Sequence, residues 1–372
     1  MAELTTALEG NTNALFWMHC SSVGEFEQGL PVIELLKKEN PTWKVLVTFF
    51  SPSGYEAVNN SIIDYKFYLP LDTQPNAKQF VNIINPQIVL FIKYEFWYHF
   101  LNELKAKNIP TYSVSSIFRP TQTFFKWWGG WNRRMLNQFA YFMVQDETSL
   151  KLLKSIGITN AEITGDTRFD RVLKIKEDTV RFPEIENFIA NKKVFIVGSL
   201  RPEDDDIVLP YIKLHSEYRF IIAPHEITSS HITKIENTLD FTIRHSQLSQ
   251  KTEANTLIID SIGKLSRLYR LAHFAYIGGG FSDGIHNILE PAVYNIPVFF
   301  GNKYYKKYKE ATDLAELKAS FPIADTADLT KKVKALENDS ELARVYKQIE
   351  LYVNANIGAS KKVAHIITQQ AN

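Results

Sequence analysis

Short apolar runs alternate with stretches of helical spacing along the whole chain. In the first half the runs fall at residues 14–20, 44–50, 87–92, 111–114 and 141–145. Between the first two, Leu30, Ile33, Leu35 and Leu36 recur at helical spacing, and Asn40-Pro41 stops the pattern. The second half repeats the scheme at residues 194–198, 220–223, 256–260, 274–277 and 298–300. Strands alternating with helices predict parallel sheets wrapped by helices. Two such series predict an α/β protein of two doubly wound, Rossmann-like domains, facing each other across a cleft. The charged stretch from 174 to 193 has no strand pattern and is the expected hinge, so the domains are read as 1–175 and 176–351. A final helix, about 352–372, is expected to cross back to the first domain.

The 372 residues are enough for two cores, and 45% apolar with 22% charged residues is a globular balance. A formal net charge of +1 argues against a nucleic-acid partner held by bulk electrostatics. The single cysteine, Cys20, excludes an intramolecular disulfide and a cysteine zinc cluster. The most apolar run, residues 88–101, is broken by Lys93, Glu95 and His99, so no membrane span is expected. The first residues are polar and lack the apolar core of a secretory signal.

Candidate chemistry collects where strands end. AYIGGGFSDGIHNILEP, from Ala275 to Pro291, reads as a strand, a glycine loop and a helix start. Gly278, Gly279 and Gly280 would let a ligand approach bare backbone, and a helix start favours an anion such as a phosphate. Glu290, one turn into that helix, would accept hydrogen bonds from sugar hydroxyls; the alternative is a tight turn followed by a residue complementing the helix dipole. After the first strand, HCSSVGEFEQ places Glu25 at a strand-to-helix turn, the position of a general base. The competing reading is a helix start capped by Ser21 or Ser22, with Glu25 merely favouring the dipole; a glutamate so placed is expected to be ionised at neutral pH and able to take a proton. Ser51, Ser53 and Gly54 follow the second strand. Glu95 follows the third, either lining the cleft or forming half of a structural salt bridge beside Trp97. Further strand ends contribute Arg168, Ser199, Arg201, Pro224, His225 and Glu226. No paired-aspartate or Walker motif is present, so no metal is expected in the chemistry.

The stretch from 117 to 134 interleaves Phe124, Phe125, Trp127, Trp128 and Trp131 with Arg119, Lys126, Arg133 and Arg134. Such a mixture suits a lipid headgroup boundary, with a core helix bearing a charged outer face as the alternative.

The order of motifs SSVGE, TFFSPSG, YEFW, GDTRFD, GSLRPED, IIAPHE, IDSIGKL and GGGFSDGIHNILEP resembles the 3-deoxy-D-manno-octulosonic acid (Kdo) transferases of lipopolysaccharide assembly. The resemblance spans nearly all of the chain and implies the two-domain glycosyltransferase B fold. It implies transfer of Kdo from CMP-Kdo, the donor substrate, to a lipid A precursor, with inversion at the anomeric centre and no metal or other cofactor. Glu25 then becomes the catalytic base. Ser199, Arg201, Pro224, His225, Gly278, Gly279, Gly280, Asn287 and Glu290 fall to the donor, and Ser22, Gly24, Ser53, Glu95 and Arg119 to the acceptor. Phe124, Phe125, Trp127, Trp128, Trp131, Arg133 and Arg134 would face the membrane. The implied location is the cytoplasmic face of the inner membrane, peripherally or through an N-terminal anchor that this chain lacks. The family's strand end commonly sets an arginine beside the histidine, whereas Pro224 here is followed directly by His225 and Glu226. A nucleotide-sugar epimerase of the same fold and a non-catalytic lipid- or sugar-binding protein are the alternatives.

Overall fold

The computed structural model describes residues 1–248 and 252–371, without the side chains of Ser53 and Ala371. The chain divides into two units, Met1–Arg171 with Asn356–Asn372, and Val172–Ala355. The first contains β1 (Leu15–Cys20), β2 (Lys44–Phe49), β3 (Tyr65–Tyr68), β4 (Ile88–Ile92), β5 (Thr111–Ser116), β6 (Tyr141–Val144) and β7 (Ala161–Ile163). The second contains β8 (Val194–Leu200), β9 (Arg219–Pro224), β10 (Thr242–Arg244), β11 (Thr256–Ile258), β12 (Phe274–Ile277), β13 (Val298–Gly301) and β14 (Ser320–Ile323). Every strand pairing is parallel, in the orders β3-β2-β1-β4-β5-β6-β7 and β10-β11-β9-β8-β12-β13-β14. Both are doubly wound, Rossmann-like sheets.

Central strands of such sheets are covered on both faces, which is why they read as unbroken apolar runs. β1, LFWMHC, is buried at all six positions. Alternate residues serve opposite layers. Phe16, Met18 and Cys20 pack with Leu30, Ile33 and Leu36 of the helix Val23–Glu39, while Leu15 and Trp17 pack with Phe80, Phe91 and Phe100. The Trp17 indole N–H is satisfied inside the core by the Thr48 hydroxyl, 2.8 Å away.

The helix Ala359–Ala371 belongs to the first unit, where Val363, Ala364, Ile366 and Ile367 join the layer around Val23–Glu39. It is separated from the helix Asp339–Asn356 at Ile357 and Gly358, where Gly358 takes φ +95°. The Asp170 carboxylate accepts from the N–H groups of Gly358 and Ser360 at 2.5 and 2.6 Å, answering donors that a helix start leaves unpaired.

Replacing Asp170 with Ala is therefore expected to lower stability by about 1–2 kcal/mol, the usual cost of a lost N-terminal cap. A shift of the urea midpoint to lower concentration with unchanged slope checks this; an unmoved midpoint would show that the helix holds by its apolar face alone.

Candidate active site

In a doubly wound sheet, ligands bind beyond the carboxyl ends of the strands, at the point where the strand order reverses. That point lies between β1 and β4 in the first unit and between β8 and β12 in the second.

At the β1/β4 point, the sequence Ser22-Val23-Gly24-Glu25 folds as a capping arrangement. Ser22 caps the helix Val23–Glu39, its hydroxyl accepting from the Glu25 N–H at 3.4 Å. The Glu25 carboxylate reaches back and accepts from the Ser21 N–H at 2.5 Å. Ser21 also donates its hydroxyl to Glu95 Oε1 at 2.6 Å, so one residue fastens both carboxyl groups. Glu95 is buried, and its second oxygen takes the Trp97 indole N–H at 2.6 Å and lies 3.0 Å from His19 Nε2. His19 in turn is held by Thr48, with Nδ1 2.9 Å from the hydroxyl and 3.1 Å from the carbonyl.

These contacts separate the two carboxyl groups electrostatically. Burial raises Glu95, but hydrogen bonds from His19, Ser21 and Trp97 and the charge of His19 outweigh it, holding Glu95 below its ordinary value. Burial also raises Glu25, and there the charge of Glu95 adds to the effect. The Ser21 and Ser22 backbone and Lys93 oppose it, leaving Glu25 at about 7. The expectation of a plainly ionised Glu25 is thus corrected. The helix start does favour the anion, but burial beside a second carboxylate outweighs it.

Among the residues assigned to the acceptor, Gly24 lies exposed in the first turn of the helix, and a Cβ there would approach only the Ser22 hydroxyl, at 4.0 Å. Arg119 is exposed beyond β5, its N–H held by Gln122 Oε1 at 2.9 Å. Both Glu95 oxygens are engaged by protein groups, which supports the structural reading of that residue over direct acceptor contact. The side chain of Ser53 lies outside the described part of the structure.

At the β8/β12 point the glycines are set tightly against neighbouring chain. All three are buried. The Gly278 N–H donates to Gly198 O at 2.9 Å and the Gly279 N–H to Asp204 Oδ2 at 2.9 Å. A Cβ at Gly278 would fall 2.1 Å from the Ser199 carbonyl, and one at Gly280 would fall 2.5 Å from the backbone of Gly301. Neighbouring protein chain leaves no room for a Cβ at these positions. Ser199, at φ +52° in a register shift of β8 against β9, supplies the carbonyl above Gly278. Asp204 completes the junction, accepting from Tyr276 Oη at 2.8 Å and from the Arg201 N–H at 3.1 Å.

The helix after the loop is short, Leu289–Ala292, and Glu290 is its second residue rather than a full turn in. Asn287 lies two residues ahead of it, accepting from the Leu289 N–H at 3.1 Å, and its amide nitrogen lies 3.4 Å from Glu290 Oε1. Arg201 donates to His286 Nε2 at 3.1 Å and pairs with Asp283 at 3.1 Å. His225 follows buried Pro224 at the end of β9 and stacks on His286 with ring centroids 4.2 Å apart. Arg201 and His225 also line a pocket of roughly 250 Å³ with Leu200, Thr228 and His231.

The aromatic stretch splits into two sets. Phe124 is buried in the core, Phe125 packs against it, and Arg133 donates to the carbonyls of Phe124 and Lys126 at 2.8 and 2.6 Å. Phe124 is thereby corrected from membrane-facing to core, while Phe125 and Arg133 are half-buried. Trp127, Trp128 and Trp131 remain 88%, 60% and 53% exposed, and Arg134 is exposed beside them. Among the described residues no helix is long and apolar enough to cross a membrane, and no three His, Cys, Asp or Glu side chains are placed to hold a metal ion.

Sequence reasoning missed the parts played by His19, Thr48, Asp204, Tyr276 and His286. The available signal for His19 was a lone imidazole inside an apolar strand; Asp204 was hidden in the acidic run Glu203–Asp206.

Residues 2–171 match the family model described as 3-deoxy-D-manno-octulosonic-acid transferase (kdotransferase). The chain is 27% identical to a 3-deoxy-D-manno-octulosonic acid transferase of Rickettsia bellii, over 95% of this chain and 88% of that protein. It is 26% identical to a bifunctional glycosyltransferase/methyltransferase of Fusobacterium nucleatum over 87% of this chain, and spans about half, 52%, of that longer protein. The UDP-GlcNAc 2-epimerase of Neisseria meningitidis, solved with UDP-GlcNAc, superimposes with a TM-score of 0.66 at 18% identity, covering 96% of this chain and 100% of that one. At that identity the likeness shows the fold alone, two Rossmann-like domains of the glycosyltransferase B type.

Carboxyl-carbon NMR is expected to show Glu25 titrating at about 7, and Glu95→Gln is expected to move that midpoint down. An unmoved midpoint would assign the shift to burial alone.

Proposed function

We propose that this chain is a glycosyltransferase of the 3-deoxy-D-manno-octulosonic acid transferase family and that it moves Kdo from CMP-Kdo to a lipid A precursor, inverting the anomeric centre without a metal. The observation that carries this reading is the Glu25 carboxyl group. It is fastened at the β1/β4 reversal by the Ser21 N–H and held at about 7, where a general base works best at neutral pH.

In the proposed step a hydroxyl oxygen of the acceptor attacks the anomeric carbon of Kdo. Its proton passes to a Glu25 oxygen as the bond from that carbon to the phosphate oxygen breaks. The bonding pair leaves on CMP, whose phosphate gains negative charge. A fixed cation near that phosphate stabilises the transition state more than the bound donor, the role given to Arg201. Ser199, His225, Asn287 and Glu290 are the further donor contacts in this reading, with the buried glycines holding their loops close. Ser22, Gly24 and Arg119 are the acceptor contacts, and Glu95 positions Glu25 rather than touching the sugar. The exposed Trp127, Trp128 and Trp131 with Arg134 suit attachment to an anionic membrane surface, which supports the reading of a peripheral enzyme at the cytoplasmic face of the inner membrane.

Glu25→Gln is expected to lower transfer about a hundred- to ten-thousandfold, with CMP affinity nearly unchanged, in an assay of acceptor mass gain and CMP release. Native-like turnover by that variant would sink the base assignment. The base must be ionised to act, so kcat/KM should fall as pH drops through about 7. A profile flat across that range would refute the link between the raised carboxyl group and the reaction.

Changing Trp127, Trp128 and Trp131 together to Ser is expected to weaken sedimentation with vesicles rich in anionic lipid while circular dichroism stays native. Equal binding by the triple variant would move membrane attachment elsewhere.

A further inference from the structure

Three nitrogen-bearing side chains meet beyond β8, β9 and β12 in the second unit. Arg201 donates through Nε to His286 Nε2, and the His286 ring is stacked on that of His225 at an interplanar angle of 30°. A guanidinium is always charged and only donates. An imidazole nitrogen that accepts from it must carry a lone pair, so His286 is neutral in this arrangement. The carboxylate balancing Arg201 is Asp283, whose side chain is 74% exposed. The cluster therefore holds one fixed positive charge, a neutral imidazole stacked on a second one, and a loosely held counter-ion.

We propose that this cluster is a site for a tetrahedral oxyanion of the phosphate class, and that the anion enters together with a proton that settles on the His225–His286 pair. The arriving anion displaces Asp283 from the guanidinium. Protonated at Nε2, His286 can no longer accept from Arg201. The guanidinium Nε–H and the imidazolium N–H are then both free to donate to the anion, so one proton turns an internal hydrogen bond into two directed at the ligand. The donor role proposed above for Arg201 and His225 enters only in naming the natural anion, a nucleotide phosphate; the proton coupling belongs to the cluster itself.

The surrounding charges set the direction. Burial lowers His286 first, then His225 and Arg201 lower it further against Asp283, leaving it at about 4. His225 is also lowered, by burial and Arg201, against Glu226 and Asp283. Lys307 binds the Asp283 carbonyl, and Asp204 accepts from the Arg201 backbone N–H. A bound anion adds negative charge and so favours the protonated imidazole. Affinity must then rise as pH falls between the bound-state and free-state values, by at most about tenfold per pH unit for one proton. It levels off below the free-state value of about 4.

The test uses inorganic sulfate on the full chain, because sulfate itself does not titrate in this range. Histidine ring resonances are followed by NMR against pH with sulfate and with chloride at matched ionic strength. Sulfate is expected to raise the His286 midpoint by about one unit or more above its free-state value of about 4, and its affinity should strengthen as pH falls through that raised midpoint toward about 4. His286→Phe should leave weaker sulfate binding with a flattened pH dependence, and Asp283→Asn should strengthen binding by removing the competing carboxylate. If sulfate moves neither imidazole in the unaltered protein more than chloride does, the proposal fails without recourse to any variant. Equal pH dependence in His286→Phe would also overturn it. CMP separates the two readings: proton-coupled sulfate binding without CMP binding would keep the anion site and defeat the nucleotide-donor assignment, while turnover of CMP-Kdo with no imidazole shift would do the reverse.

Discussion

Each sheet is laced at its reversal point by a buried carboxylate. Where β1 and β4 diverge, Glu95 draws together Ser21 and His19 from the end of one strand and Trp97 from beyond the other. Where β8 and β12 diverge, Asp204 ties the Arg201 N–H to Tyr276 and to the Gly279 N–H. Removing a charge from water is costly, and it is tolerated only where hydrogen bonds replace the lost solvent. Both carboxylates meet that condition with three different residues. The loops carrying Glu25 and Arg201 are set by these ties.

The two ties differ in their partners, and the difference reaches the chemistry. Glu95 has an imidazole as well as neutral donors and stays below the ordinary range. Asp204 has neutral donors only, and burial raises it above that range despite them. A firmly ionised Glu95 acts on its neighbour. Burial raises Glu25 and the Glu95 charge adds to it, so two acidic groups fastened to the same serine come to ionise at different pH. Environment rather than residue type separates a proton acceptor from a structural anion.

The interior strands were legible in the sequence for the same reason that some others were not. β1, β4, β8, β9 and β12 are buried on both faces and announce themselves as apolar runs. The strands that escaped, β3, β7, β10 and β14, are the four sheet edges. Half-covered segments such as YKFY and TIR have no apolar run to display. Capping residues around Glu25 could be read locally because a helix start is a local event. The jobs of Gly278 and Gly280 could not, since what excludes a Cβ there is the chain at Ser199 and Gly301, distant in sequence. Phe124 and Arg133 illustrate the same limit: composition marks an aromatic and basic stretch, but only packing decides which members turn inward.

The return of residues 356–372 to the first unit imposes an order on synthesis. Val363 and Ile367, both fully buried against the helix that bears Glu25, leave the ribosome only after all of Val172–Ala355 has been made. The second unit can thus close while the first still exposes a strip of apolar surface along Leu30, Ile33 and Leu36. Domains usually fold from the N-terminus onward during translation. Here the earlier-translated half is completed only by its last helix, the reverse of that order.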